Sequence, residues 1–165
     1  MDHHPVLTQL TGEANLGLVD ALAQLSFAVQ SALGRIAAAH DLSIVQARLL
    51  GILRDRRPTI KDLATFLQLD KSSVTGLIDR AQERGLVTRT ASSLDRRSVH
   101  VTITAAGQKL VDATQVAFQA EIAVLVADLN FAQRARLSTT ASLVVTADAR
   151  RRGIDILSVE PAPAL

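Results

Sequence analysis

Cysteine, tryptophan and tyrosine are all absent from this 165-residue chain, and phenylalanine occurs only four times. Without cysteine there are no disulfides, no thiolate metal sites and no thiol-based redox sensing. With so few rings the core must be aliphatic, which suits packed helices. The same scarcity disfavours single-strand or RNA binding, whose stacking platforms need aromatic side chains. No apolar run approaches the roughly 18 residues that span a bilayer. The first residues, MDHHPVLTQLTGE, lack a basic region followed by an apolar stretch and so do not read as a signal peptide. The expected setting is the cytoplasm, with no membrane partner. No nucleophile elbow, phosphate-binding glycine loop, zinc-ligand spacing or helix-borne carboxylate pair is visible, so no enzyme is expected. His3 and His4 lie near the start, and His40 and His100 stand alone in sequence. No histidine pair has helical spacing, so neither metal nor other cofactor is expected.

What is present is largely Leu, Val, Ile and Ala, in a chain that is 48% hydrophobic with a formal net charge of +2. The sequence pI of about 9.7 is partly an artefact, because almost nothing titrates between His and Lys. Local charge is more informative. Residues 54–97 hold ten basic and six acidic side chains, a net of +4, and the remainder holds eight and ten, a net of −2.

The apolar spacing of Leu18, Leu22, Leu25, Val29, Leu33 and Ile36 predicts a helix over about 17–39. Ser43 and Gln46 have the spacing of a capping box and open a second helix through Leu53. RDRRP at 54–58 breaks it, and Thr59 caps a short third helix. Asp70 caps a fourth, KSSVTGLIDRAQER, ended by Gly85. The period then changes to two: LVTRT (86–90) and SVHVTIT (98–104) predict a β-hairpin. Thr104 caps a long helix over about 105–128, and Asn130 with Gln133 opens a last one to about 152. The end, EPAPAL, reads as a frayed tail. Helices two to four with the hairpin are the parts of a winged helix-turn-helix. The predicted class is mainly α with a small β-hairpin wing, on a helical dimerisation platform. That platform comprises 1–41 and 104–152, the reading lobe 42–103 and the tail 153–165. The outer helices are too apolar around their circumference to stand alone in water, which predicts a homodimer.

On the fourth helix Val74, Leu77, Ile78 and Ala81 share the core side. Ser72, Gly76, Asp79 and Glu83 lie opposite, flanked by Ser73, Thr75 and Arg80. Its N-terminal half is small, polar and uncharged apart from Lys71, and acids come only later. That polarity suits a helix entering the major groove of DNA by its N-terminus. An ordinary amphipathic helix with a solvated face has the same pattern. At the hairpin tip, Asp95, Arg96 and Arg97 pose a similar choice. Arginine there can enter a minor groove, and an exposed turn can also carry such charges for solubility. His100 falls on the strand face opposite Val99 and Val101 and is expected to point outward.

The combination separates these readings. From about Leu42 to Leu110 the chain resembles the MarR family of bacterial winged-helix regulators. The resemblance is strongest over DKSSVTGLIDRAQERGLVTRT and DRRSVHVTITAAG. It implies a sequence-specific double-stranded DNA-binding regulator, a repressor that binds a pseudo-palindromic operator as a homodimer. It assigns Asp95 and Arg97 to the orienting acid and minor-groove arginine of the wing, and Arg96 to a neighbouring phosphate. It assigns Ser72, Ser73 and Thr75 to base or phosphate contacts, with Lys71, Gly76 and Arg80 on the same surface. Gly76 departs from the family, where a larger and often basic side chain is common, and Ala81-Gln82 replaces a common Leu-Glu pair. The resemblance also implies release by a small anionic, often phenolic, ligand, for which His40, Arg48 and Phe66 are candidate lining residues. Lack of Cys excludes the thiol-sensing branch, and lack of Trp removes a residue of the urate-responsive one. The competing readings are a non-specific architectural DNA binder and a winged-helix module that binds protein.

Overall fold

The computed structural model describes residues 16–91 and 99–154. Within them the chain runs α1 (Leu18–Ala39), α2 (Ile44–Leu53), α3 (Ile60–Leu67), α4 (Lys71–Glu83), β1 (Val87–Ala91), β2 (Val99–Ile103), α5 (Ala105–Leu125) and α6 (Phe131–Arg151). This is the mainly helical winged arrangement that the sequence predicts.

Five of the six helices start at a side chain able to hold an otherwise unpaired backbone N–H. Ser43 and Gln46 close a full capping box on α2, and Asn130 and Gln133 close one on α6. Thr59 forms another with Asp62, whose carboxylate accepts the Thr59 N–H at 2.9 Å. Asp70 and Thr104 cap α4 and α5. Between α3 and α4 the chain turns at Gln68, in the left-handed region with φ 57°.

Two boundaries differ from the sequence expectation. The helix α5 ends at Leu125 rather than near 128. Beyond it the chain turns towards the Asn130 cap, and the Arg134 guanidinium donates to the carbonyls of Ala127 and Leu129. Leu86 stays outside β1 because its N–H closes the end of α4 on Ala81 O and its carbonyl accepts the Thr104 N–H.

The core lies inside the lobe. Leu49, Leu50 and Leu53 of α2 meet Leu63 and Leu67 of α3, and Val74, Leu77, Ile78 and Ala81 of α4. Val87 and Val101 close it from the hairpin, while Ala37, Leu42 and Val111 join it to α1 and α5. The strands pair antiparallel, with Val87 opposite Ile103 and Thr90 opposite His100. On its other side β2 meets the α2–α3 linker: Val101 N–H donates to Pro58 O at 3.0 Å, and Thr59 bridges His100. His100 does not simply project, as its alternation predicts. It is half-buried, and its Nδ1 lies 2.8 Å from Arg57 O. The linker thus runs along the free edge of the two-stranded sheet, bridged to β2 at Thr59 and Pro58.

In contrast, α6 buries only Ala149. Phe131 at its start is 89% exposed, and Leu143, Val144 and Val145 are exposed along it. Apolar side chains are also exposed on α1 (Leu18, Val19, Leu22) and late in α5 (Val116, Val124).

Lobe and platform join at one tight seam. Gly85, at φ +68°, turns the chain out of α4, and its carbonyl accepts the Thr104 hydroxyl at 2.7 Å. Gly107, in the first turn of α5, packs directly on this turn. A Cβ there would stand 2.2 Å from Leu86 O and 2.7 Å from Ile103 Cγ1. Backbone cannot yield to that contact without moving the helix. Gly107→Ala is therefore expected to cost about 1–3 kcal/mol despite its better helix propensity. Urea denaturation checks this, and an unchanged or raised midpoint would contradict the close approach.

Candidate nucleic-acid interface

The exposed end of α4 is organised by Asp70. One carboxylate oxygen accepts the Ser73 N–H at 2.8 Å and the Ser72 hydroxyl at 2.5 Å; the other accepts the Ser73 hydroxyl at 2.7 Å. These bonds, that from Ser72 first, hold the Asp70 carboxyl well below the usual carboxylate range. One turn on, the Thr75 hydroxyl donates to Lys71 O at 2.8 Å. The protons of all three hydroxyls are thus committed within the helix. Their oxygens remain acceptors, suited to the amino groups of adenine or cytosine; turning a hydroxyl to a phosphate would break its internal bond.

Lys71, Ser72, Ser73 and Arg80 are exposed, and Thr75 and Gly76 are partly so. A Cβ on Gly76 would meet only Arg80 Nη1, at 3.5 Å, which is ordinary contact. Packing therefore does not require glycine there. Its bare backbone leaves the Arg80 guanidinium resting beside it, a positive group beside a position where the resembled family often has one.

Several other basic residues counted in this region are hydrogen-bonded to protein oxygens. Arg84 donates to the carbonyls of Asp41 (2.7 Å) and His40 (3.3 Å), fastening the end of α4 to the end of α1. Arg89 of β1 reaches Asp79 at 2.5 Å and Gln82 at 3.0 Å on α4. Arg54 pairs with Asp55 and donates to Gln115 of α5 at 2.7 Å. Its hydrogen bond draws the Asp55 carboxyl below its ordinary value. Nothing in the sequence marks these ties, which join residues 7 to 61 positions apart apart from the adjacent Arg54–Asp55 pair. Asp95, Arg96 and Arg97 lie outside the described residues.

The candidate ligand residues part company. Arg48 and Phe66 line a cavity of about 490 Å³ between α2, α3 and the end of α6, with Arg54, Asp55, Asp148 and Arg152. The Arg56 guanidinium lies 5.4 Å from the Phe66 ring centroid. His40 is elsewhere, capping α1 with its backbone, and does not line this cavity. Among the described residues no group of three His, Asp or Glu side chains is placed to hold a metal ion. No single helix among them is long and apolar enough to cross a membrane.

A helix-turn-helix followed by a hairpin wing, set on helices from both ends of the chain, defines a winged-helix protein. Residues 40–98 match the model of the MarR family, and over that stretch the chain is similar to members of the family. A Bacillus subtilis protein, the uncharacterised HTH-type transcriptional regulator YfiV, is 35% identical over 71 residues, 42% of this chain. That match spans 44% of the relative's length. Among solved structures, MarR of E. coli in its apo form has a TM-score of 0.69 at 22% identity, covering 81% of this chain and 98% of that one. The MepR–DNA complex of S. aureus has 0.65 at 20%, covering 82% and 99%. At such identities the likeness is one of fold, and it extends through the platform as well as the lobe.

The Asp70 cluster has a pH signature. A carboxyl whose folded pKa is depressed adds stability that is complete above its unfolded value and is lost as pH falls through the folded one. Asp70→Ala should therefore lower the urea midpoint at pH 7, and the gap to the parent should narrow as pH drops below about 4. A gap independent of pH would mean that the carboxylate does not hold these hydroxyls.

Proposed function

We propose that this chain is a sequence-specific double-stranded DNA-binding transcriptional regulator that works in the cytoplasm as a homodimer. The observation that carries this reading is the α4 surface. Its first two turns expose Lys71 and small hydroxyl groups with no acid among them; Arg80 follows in the third turn, flanked by Asp79, which is paired to Arg89, and Glu83. Entering a major groove by its N-terminus, such a helix sets its positive dipole end and acceptor oxygens among bases and phosphates. Lys71, Ser72, Ser73, Thr75, Gly76 and Arg80 form this reading surface. In the wing, Arg97 takes the minor groove, Asp95 orients it and Arg96 takes a phosphate. The fold likeness to a protein solved in complex with DNA supports the same mode.

Residues 42–103 are the reading lobe; 1–41 and 104–152 form the dimer platform, with 153–165 as a tail. The apolar surfaces of α1, α5 and α6 are too extensive to stay in water, and a second copy burying them would place two α4 helices about one turn of DNA apart. The operator is then a pseudo-palindrome, and occupancy represses. A small anionic ligand relieves repression from the cavity that Arg48 and Phe66 line. His40, the third candidate, lies outside the lining of that cavity.

Titration onto a duplex from the chain's own upstream region, against a scrambled duplex at two salt concentrations, tests the reading. A preference of about a thousandfold is expected for a specific regulator. Equal binding to both duplexes, and to sequences selected from a random pool, would indicate an architectural binder. No binding at either salt would indicate a protein-interaction module. Arg97→Ala should weaken binding at least about tenfold and reduce the salt slope by about one. An intact variant with unchanged affinity would remove the wing from the interface. Sedimentation should show a dimer that Leu143→Asp with Val144→Asp splits into folded monomers; a dimer surviving both would move the interface away from α6.

A further inference from the structure

We propose that Arg89 is a positioning residue: it fixes the direction of the wing relative to α4, and so couples what the wing reads to what the helix reads. The inference rests on the DNA-binding reading above and adds a residue that contacts no DNA.

The base of the hairpin is already tied down. Gly85 N–H donates to Gln82 O and Leu86 N–H to Ala81 O, so the chain leaves α4 in a fixed turn. These bonds hold the root of β1, as those of Thr104 and of Val101 to Pro58 O hold β2, but none of them reaches β1 further out. Arg89 lies three residues further out, about 10 Å along an extended strand. There its Nη2 donates to Asp79 Oδ1 at 2.5 Å and its Nη1 to Gln82 Oε1 at 3.0 Å. Two donors of one rigid plane on two acceptors one turn apart fix a direction, which a lysine ammonium cannot do. Asp79 lies mid-helix on the outer face, and Arg89 keeps its charge from standing alone towards phosphates. The second strand is braced at the same level, because His100 of β2 pairs with Thr90 and reaches Arg57 O. The Arg89 side chain is 28% exposed and that of Asp79 49%, so the pair is partly solvated and adds little to folding. Its effect is on geometry.

An operator selected by the parent protein from random duplexes supplies the test, with a scrambled duplex for comparison. Arg89→Lys keeps the charge and loses the two-pronged contact; Asp79→Asn weakens the same contact from the other side. Each is expected to lower specific affinity about tenfold, with non-specific affinity and the thermal midpoint near those of the parent. Arg89→Lys should keep the parent's salt slope. The double variant should be no worse than either single one, since one contact is lost once. Parent-like specific affinity in Arg89→Lys would overturn the proposal, because charge alone would then suffice. So would a parent-like Asp79→Asn together with an Arg89→Gln whose salt slope falls by about one, the mark of a direct phosphate contact. If the parent prefers no duplex, the DNA-binding reading fails instead. Amide exchange along β1 of the free protein then decides the tie itself: faster exchange in Arg89→Lys supports it, and unchanged exchange rejects it.

Discussion

The close approach of the start of α5 to the Gly85–Leu86 turn is the constraint on which the molecule depends. At this place the reading lobe ends, the hairpin begins and closes, and the long helix of the platform starts. Thr104 caps α5 with its hydroxyl oxygen while donating its proton to Gly85 O, and its N–H donates to Leu86 O. One threonine thus joins a helix start to a helix end, with no space for a Cβ at Gly107 three residues later. A rotation of α5 must be felt by the hairpin, because backbone in direct contact moves as a unit.

The polar ties then divide the basic residues into two groups. Arg54, Arg84 and Arg89 have their guanidinium groups committed to protein oxygens, joining α2 to α5, α4 to α1 and β1 to α4. Lys61, Lys71 and Arg80 are exposed, as Arg54 and Arg84 are, so it is the hydrogen bonds of the first group and not burial that set it apart. A count along the sequence treats these groups alike as positive field. In the folded protein the first group makes a rigid frame, and its charge is partly spent on carboxylates and carbonyls. The field offered to a polyanion comes from fewer residues, more tightly placed, than the regional net charge implies.

Much of the fold was legible because it rests on local rules. Ser43 with Gln46, Asp70, Thr104 and Asn130 with Gln133 are signals read within four residues, and the shift of period at Leu86 marks the hairpin. The Thr59–Asp62 box was only half read, since aspartate stands where glutamate or glutamine is usual. His100 is half-buried rather than simply projecting because the 57–59 linker runs along the free edge of β2 and offers the Arg57 carbonyl to its ring, which alternation along the strand does not encode. His40, near the lobe–platform junction in sequence, caps the end of α1 with its backbone and is not among the residues that line the cavity with Arg48 and Phe66. The Arg89–Asp79 and Arg84–Asp41 ties left no trace in sequence. Each depends on how a helix end and a distant segment are oriented, which pattern and spacing do not encode.

The same distinction bears on how α4 could read a sequence at all. Its hydroxyls have given their protons to Asp70 and Lys71, and Gly76 has no side chain, so the exposed surface offers few directional donors apart from Lys71 and Arg80. Acceptor oxygens alone discriminate weakly among base pairs, since adenine and cytosine both present an amino group in the major groove. On the proposed function, discrimination would then draw on the shape and bendability of the duplex, which a protein senses only if its groove-binding parts hold a fixed mutual distance and angle. A wing braced at both strands and a platform set rigidly on the lobe supply that fixity. The small, donor-poor surface of α4 and the heavily tied frame around it are therefore two sides of one arrangement. On the proposed function, what the helix lacks in contacts the geometry of the lobe would make up.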